Sequence, residues 1–324
     1  MKYILRKVGF FFLTLWVAIS LNFFIPRLMP GNPAENLIAR FQGQISDKAL
    51  KAIEIAFGIN VNQSMWSQYI EYIKNIFRGE FGVSFVYFPT PVIKIIKQSL
   101  PWTLGLVGIA TIISFVVGTL MGVYVAWKRN GKWSSSLLVV AIFIRSFPYF
   151  WLGLLMLYVF GFVLGWFPMG GAYSTRNVLH GFAYFESVIY HGFLPALTIV
   201  ISSLGGWLLT MRNNMISVLA EDYITVAEAK GLKEKEIMLK YAARNAILPS
   251  ITGFAMSLGF IVGGAILTEI VYSYPGMGYV MYQAVVGQDY PLMQAIFLMI
   301  SVAVLSANLV ADLVYALVDP RVRS

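Results

Sequence analysis

Two histidines, His180 and His191, supply all the imidazole in this chain of 324 residues, and it contains no cysteine. Neither histidine has carboxylates spaced to make it a metal ligand or an acid–base partner. No HExxH and no GxSxG occurs, so zinc-peptidase and serine-hydrolase chemistry have no carrier here. Gly131-Lys132 is the one pair that hints at a phosphate loop, but Trp133 follows it and no glycine precedes it at the required place. Without cysteine there are no disulfides and no thiolate metal sites. The chain carries no signature of an enzyme and binds no ATP by that motif, so any energy from nucleotide has to come from another subunit.

The dense chemistry lies elsewhere, in a polar island from Asp222 to Pro249 that reads DYITVAEAKGLKEKEIMLKYAARNAILP. It sets Lys230, Lys233, Lys235, Lys240 and Arg244 against Asp222, Glu228, Glu234 and Glu236, in a chain only 12% charged. Acidic residues at its start suit a helix N-terminus over Tyr223–Lys230. Gly231 is placed to end that helix, since it tolerates a left-handed backbone. A second helix is expected from Lys233, and Pro249 suits the first turn of the next element. Ala227 and Ala229 are small enough to let another surface come close. About thirty residues of capped helix exceed what a connector requires. Such a segment is offered to another protein.

The elements around it are set by composition. The chain is 58% hydrophobic with a mean hydropathy of +0.72, far above a soluble domain of this length. Its apolar residues come in runs that reach the roughly 20 residues a membrane helix needs. Six spans are expected, over 8–29, 101–127, 135–164, 191–211, 250–271 and 291–317. The runs show no two-residue alternation, which argues against a barrel. The expected fold is an all-α polytopic membrane protein of six transmembrane helices.

Orientation follows the lysines and arginines. Lys2, Arg6 and Lys7 precede the first span, Lys128, Arg129 and Lys132 follow the second, and Arg321 and Arg323 end the chain. Arg176 is alone in 165–190, and 272–290 has neither residue type. Both termini and the polar island are expected to be cytoplasmic. The net charge of +9 follows from this asymmetry and does not call for nucleic acid. The first apolar run is too long for a cleaved signal and lacks a small-x-small site, so it reads as a retained span. In the long external segment that follows, Trp66, Tyr69, Ile70, Ile73 and Phe77 recur at helical spacing opposite Gln68, Glu71 and Lys74. This amphipathic helix suits covering the span ends or docking an external protein.

Within the spans, Gly118 with Gly122 and Gly259 with Gly263 form GxxxG pairs suited to close helix packing. Pro148 should kink the third span. Arg145, three residues earlier, is costly in lipid and should face protein or a hydrated cavity. Asn308 and Asp312 lie four apart on one face of the last span and could line such a path.

Several stretches together resemble a known family. DYITVAEAKGL followed by RNAILP resembles the coupling segment of permease subunits from ABC importers. Gly79-Glu-Phe-Gly82, Leu100-Pro-Trp-Thr103, Tyr274-Pro-Gly-Met-Gly278, Gln288-Asp-Tyr-Pro291 and Asp319-Pro-Arg-Val-Arg323 match the subclass for dipeptides, oligopeptides and nickel. The long external segment is similar to that of its B-type member. The resemblance implies an N-terminus and first span over 1–30, an external segment over 31–98, and a permease core of five spans over 99–324 with a coupling loop at 212–249. It implies a second permease, two cytoplasmic ATPases that hold the ATP and magnesium, an extracytoplasmic solute-binding protein, and a prokaryotic inner membrane. This chain itself would hold no cofactor and no metal. Asp222, Tyr223, Thr225, Ala227, Glu228, Ala229, Lys230 and Gly231 would contact an ATPase. Thr225 stands where many relatives have glutamate, so no contact can use that carboxylate. Arg145, Asn308 and Asp312 are candidates for the solute path, and Glu269, Tyr274 and Pro275 for an external gate. Peptide is the default solute. A β-linked oligosaccharide is the alternative, with Trp166, Tyr173 and Tyr184 available to stack on sugars, and nickel is the weakest option. An ion-driven secondary transporter would need inverted repeats, and none is visible.

Overall fold

Amides that water cannot reach must bond within their own segment, so long apolar runs fold as helices. A computed structural model describes residues 2–28, 64–175 and 180–318, with side chains at 6–28, 64–175 and 180–310. The first part of the external segment (31–63), Arg176, the Asp312 side chain and the terminal stretch 319–323 lie outside the described residues. In chain order the helices are α1 (Lys2–Arg27), α2 (Met65–Arg78), α3 (Val92–Trp127), α4 (Lys132–Arg145) and α5 (Tyr149–Val163, π-wound from Leu157). There follow α6 (Gly181–Leu219), α7 (Asp222–Ala229), α8 (Glu234–Ala246, π-wound over Ile237–Ala243) and α9 (Leu248–Gly263, closing in a 3₁₀ turn). The last three are α10 (Ile266–Val271), α11 (Met277–Val286) and α12 (Tyr290–Val318). Among the described residues there is no strand, only a bridge between Val83 and Pro91. The protein is an all-α polytopic membrane protein.

Four helices, α1, α3, α6 and α12, are each long and apolar enough to cross a membrane. Counting each of the bent pairs α4–α5 and α8–α9 as one span would bring the number to six. Three expected spans change shape. The third is not one kinked helix but two that meet at 97°. Pro148 caps α5 there, and the residue before a proline is pushed out of helical conformation. The fourth is the middle of a 39-residue helix that rises about 58 Å, nearly twice the hydrocarbon thickness. The fifth is interrupted after Gly263, where Gly264 takes φ +71 and separates α9 from α10.

The chain divides into two compact units, Met1–Trp102 with Pro275–Ser324, and Thr103–Tyr274. In the first, α1 packs along α12, and Asn22 Nδ2 donates to the Gln294 carbonyl at 2.6 Å. Its apolar core joins Val92, Ile95 and Ile96 to Met277, Met281, Leu292 and Ile296. Beside it, the loop after α2 is pinned by one carboxylate. Asp289 accepts from the Ser84 hydroxyl, from the Val86 amide at 3.0 Å and from the Leu292 amide at 3.1 Å. The α2 face is covered only in part. Tyr69 is buried against Phe23 and Phe24, whereas Trp66 is 65% and Phe77 87% exposed.

In the second unit small residues set the spacing. A Cβ on Gly118 or Gly122 would stand 2.6–2.8 Å from α6 atoms, including the Leu204 and Leu208 carbonyl oxygens. That first GxxxG pair is a packing face. In the second pair, Gly263 falls in the 3₁₀ turn that ends α9, so the two glycines do not share a helical face. Gly205 likewise abuts the Ala141 carbonyl of α4, at 2.8 Å from an ideal Cβ.

Candidate functional site

The polar island folds as a short helix, a left-handed glycine and a second helix. Glu221 caps α7 in extended conformation, and α7 runs for eight residues. Its end is closed by backbone bonds from Gly231 N to Glu228 O at 2.9 Å and from Lys230 N to Val226 O at 3.1 Å. Gly231 sits at φ +72, where a Cβ would be strained. Lys233 then caps α8. Leu248 and Pro249 open α9, where a proline costs no hydrogen bond.

Beneath α7 lies a closed apolar base. Ile224 and Ala227, three apart and on one face, are both buried with Ile237, Ala242, Ala246, Met211 and Met215. Ala227 therefore corrects one expectation, because it belongs to this base and does not lie on a contact surface. Asp222, Tyr223, Thr225, Glu228, Ala229, Lys230 and Gly231 are exposed, and so is Val226 at 52%. The exposed face is thus a valine and a tyrosine ringed by both signs of charge. Asn245 of α8 donates to the Tyr223 hydroxyl at 3.1 Å and to the Tyr241 carbonyl at 2.9 Å, which ties the two helices together. Asn214 of α6 donates to the Ala246 carbonyl at 3.2 Å. Exposed ion pairs join Lys128 to Glu234 at 3.5 Å and Lys240 to Glu236 at 2.7 Å. The hydrogen bond from Lys240, with its charge, holds the Glu236 carboxyl below its usual range and raises the Lys240 ammonium.

The solute-path and gate candidates fall at separate places. Arg145 ends α4 at the 97° corner, exposed and without a polar partner among the described residues. Asn308 is exposed and lines a cavity of ≈ 410 Å³ with Arg6, Lys7, Phe10 and Thr14, while the side chain of Asp312 is not described. Glu269 is fully buried on α10 and accepts from the Thr103 hydroxyl at 2.8 Å. It packs on Gly264 so closely that a Cβ there would meet its Oε1 at 2.9 Å. The Tyr274 amide donates to the Glu269 carbonyl at 2.8 Å, and Tyr274 is buried too. Pro275 follows in the chain and is half-buried. Among the described residues no group of three His, Asp or Glu is placed to hold a metal ion.

Sequence reasoning missed Ile224 and Ile237 as the base of the segment, although the i, i+3 spacing of Ile224 and Ala227 could have shown it. It also missed Thr103 as the partner of Glu269, 166 positions away, for which no local signal exists.

Residues 118–324 match the family described as "Binding-protein-dependent transport system inner membrane component". The chain is 33% identical to the oligopeptide transport system permease protein AppB of Bacillus subtilis, over 93% of each chain. It is 32% identical to the dipeptide transport system permease protein DppB of Lactococcus lactis subsp. cremoris, over 99% of each. It is also 32% identical to the glutathione transport system permease protein GsiC of Escherichia coli K12, over 100% of this chain and 99% of that one. The island, the helices around it and these matches make the chain a member of the binding-protein-dependent transport system inner membrane components, in the B-type permease branch that includes dipeptide and oligopeptide permeases.

Proposed function

We propose that this chain is one membrane half of a peptide-importing ABC transporter, and that α7 is where the motion of an ATPase subunit enters it. The observation that carries this reading is the two-sided character of α7. Its inner face is fused to α3, α6 and α8 through Ile224 and Ala227, while its outer face is free. A push on the outer face is then passed to long helices as a rigid-body displacement. The termini and α7 lie on the cytoplasmic side in this reading, because the basic residues cluster there. A second permease completes the path, and an external binding protein delivers solute. ATP and magnesium belong to the ATPases. Arg145 is proposed to face the solute path, and Glu269, Tyr274 and Pro275 to hold its outer gate shut.

Peptide is favoured as solute because the relatives compared above are named for oligopeptide, dipeptide and glutathione transport. The oligosaccharide alternative rests on accessible aromatics. Trp166 and Tyr173 are exposed, and the Tyr173 and Tyr184 rings stand 5.3 Å apart.

The test is site-specific photocrosslinking in cells that express the whole transporter. A crosslinker at Val226 or Ala229 should capture an ATPase subunit, and one at Ala227 should not. No ATPase product from Val226 or Ala229 would reject the coupling assignment. Uptake of a labelled tripeptide, competed by unlabelled peptide but not by cellobiose, would fix the solute class, and the reverse pattern would overturn it.

A further inference from the structure

A small cavity of ≈ 140 Å³ opens in the first unit between the end of α1, helix α2 with its following loop, and the start of α12. It has room for several waters and hence for a compact solute. Two of its lining side chains, Arg27 and Gln294, carry N–H donors. Arg27 is half-buried, with its guanidinium 3.7 Å over the Phe23 ring and Nη1 donating to the Phe23 carbonyl at 3.0 Å. A guanidinium has five N–H donors, and Arg27 has no carboxylate within ion-pair reach among the described residues. Gln294, only 8% exposed, lines the same cavity, and among the described residues its Nε2 has no hydrogen-bond partner. A buried donor left unpaired in this way is destabilising, and such groups are rare.

The rim has the opposite character. Glu71 and Glu80 line the cavity and are exposed, with the Asn75 amide between them in sequence. Tyr72 lies on its wall, and burial pushes its phenol up to about 12, so the hydroxyl stays protonated. A plain anion would meet the floor donors but would also feel two rim carboxylates. A plain cation would meet the rim and be repelled by Arg27.

We propose that this cavity is a binding site for a compact zwitterion, with its anionic oxygens on Arg27 and Gln294 and its ammonium at Glu71 and Glu80. A free amino acid and the headgroup of phosphatidylethanolamine share that chemistry. The proposal does not depend on the transport reading above.

The experiment measures the melting temperature of the full chain in detergent against increasing L-alanine, acetate, ethylammonium and phosphoethanolamine. L-alanine or phosphoethanolamine should stabilise it saturably, with acetate and ethylammonium weaker by about tenfold or more. The double variant E71Q/E80Q should lose that preference and bind acetate as well as L-alanine. Both residues are exposed, so this variant tests the site even if Arg27→Gln fails to fold. Gln294→Leu should weaken every anion-bearing probe. Tighter binding of phosphoethanolamine, with competition from phosphatidylethanolamine vesicles, assigns a lipid headgroup, and tighter binding of L-alanine assigns a free solute. Three results each overturn the proposal: no saturable response to either zwitterion, equal binding of acetate and L-alanine by the wild type, or unchanged selectivity in E71Q/E80Q.

Discussion

Helices α2 and α7 are both short, both lie off the long spans, and both end at a left-handed glycine, Gly79 at φ +71 and Gly231 at φ +72. They differ in which face is settled. Helix α7 buries its apolar residues in a closed base and shows a mixed polar face. Helix α2 buries Tyr69 but leaves the rest of its apolar face partly open. It is tied down by the Tyr69 hydroxyl to Ser20 at 2.7 Å and by Tyr72 to Asn22 at 3.2 Å, and leaves Trp66 and Phe77 bare. A helix welded by apolar packing can pass on a push. A helix held by two ring-and-hydroxyl anchors with other aromatics bare is suited to adhesion.

The largest test of that contrast removes packing. Ile224→Ala should cost about 2–5 kcal/mol, through lost burial and the cavity it leaves. Phe77→Ala should stay within about 0.5 kcal/mol. Thermal unfolding of the two purified variants measures the gap, and equal losses would erase the distinction. The glycines give the next effect. A side chain at either left-handed position costs about 1–2 kcal/mol. Gly231→Val should abolish most uptake while assembly stays normal, whereas Gly79→Val should leave uptake near wild type. Normal transport by an assembled Gly231→Val would remove α7 from the coupling role. Smaller still, Tyr223→Phe deletes the acceptor of Asn245 and should cost about 0.5–1.5 kcal/mol, read as a lower melting temperature.

The smallest effect is electrostatic and belongs to α8. The folded Glu236 carboxyl titrates below its usual value because Lys240 hydrogen-bonds to it. Its contribution is therefore present above the ordinary glutamate value of 4.5 and is lost as pH falls through the lowered one. Lys240 titrates above its ordinary 10.5, so its own contribution holds below that value and fades as pH rises past the raised one. The pair lies at the surface and is screened by salt. Melting curves of wild type and Lys240→Ala should converge in acid, and a difference that grows there would contradict this sign.

Much of this was legible in the sequence because the signals are local. Runs of apolar residues marked the helices, Asp222 and Gly231 bracketed α7, and Trp66–Phe77 spacing located α2. Gly118 and Gly122 announced a close approach that the α6 backbone confirms. What was not legible depends on distant partners or on the sharpness of a bend. Pro148 located the break in the third span, but its 97° angle depends on packing that no local residue encodes. Ala227 looked like an open contact because small residues suit both surfaces and cores, and only Ile237 and Met215 decide which. The Glu269–Thr103 bond joins residues 166 positions apart, beyond the reach of any periodicity.

The corner between α4 and α5 bears on how much of this protein a cell can keep. Helix α4 has 14 residues and rises about 21 Å, short of the roughly 30 Å of hydrocarbon. Around its end the exposed ring of Phe143 meets Phe147 edge-on and Phe147 stacks on Trp151, with Arg145 exposed between the two phenylalanines in sequence. Lipid tails solvate a bare arginine and a helix break poorly, so this corner needs another protein or water against it. If a protein covers this corner, a copy made in excess of it should be degraded faster than a covered one. The abundance of the chain should then follow the supply of its partner and not its own rate of synthesis.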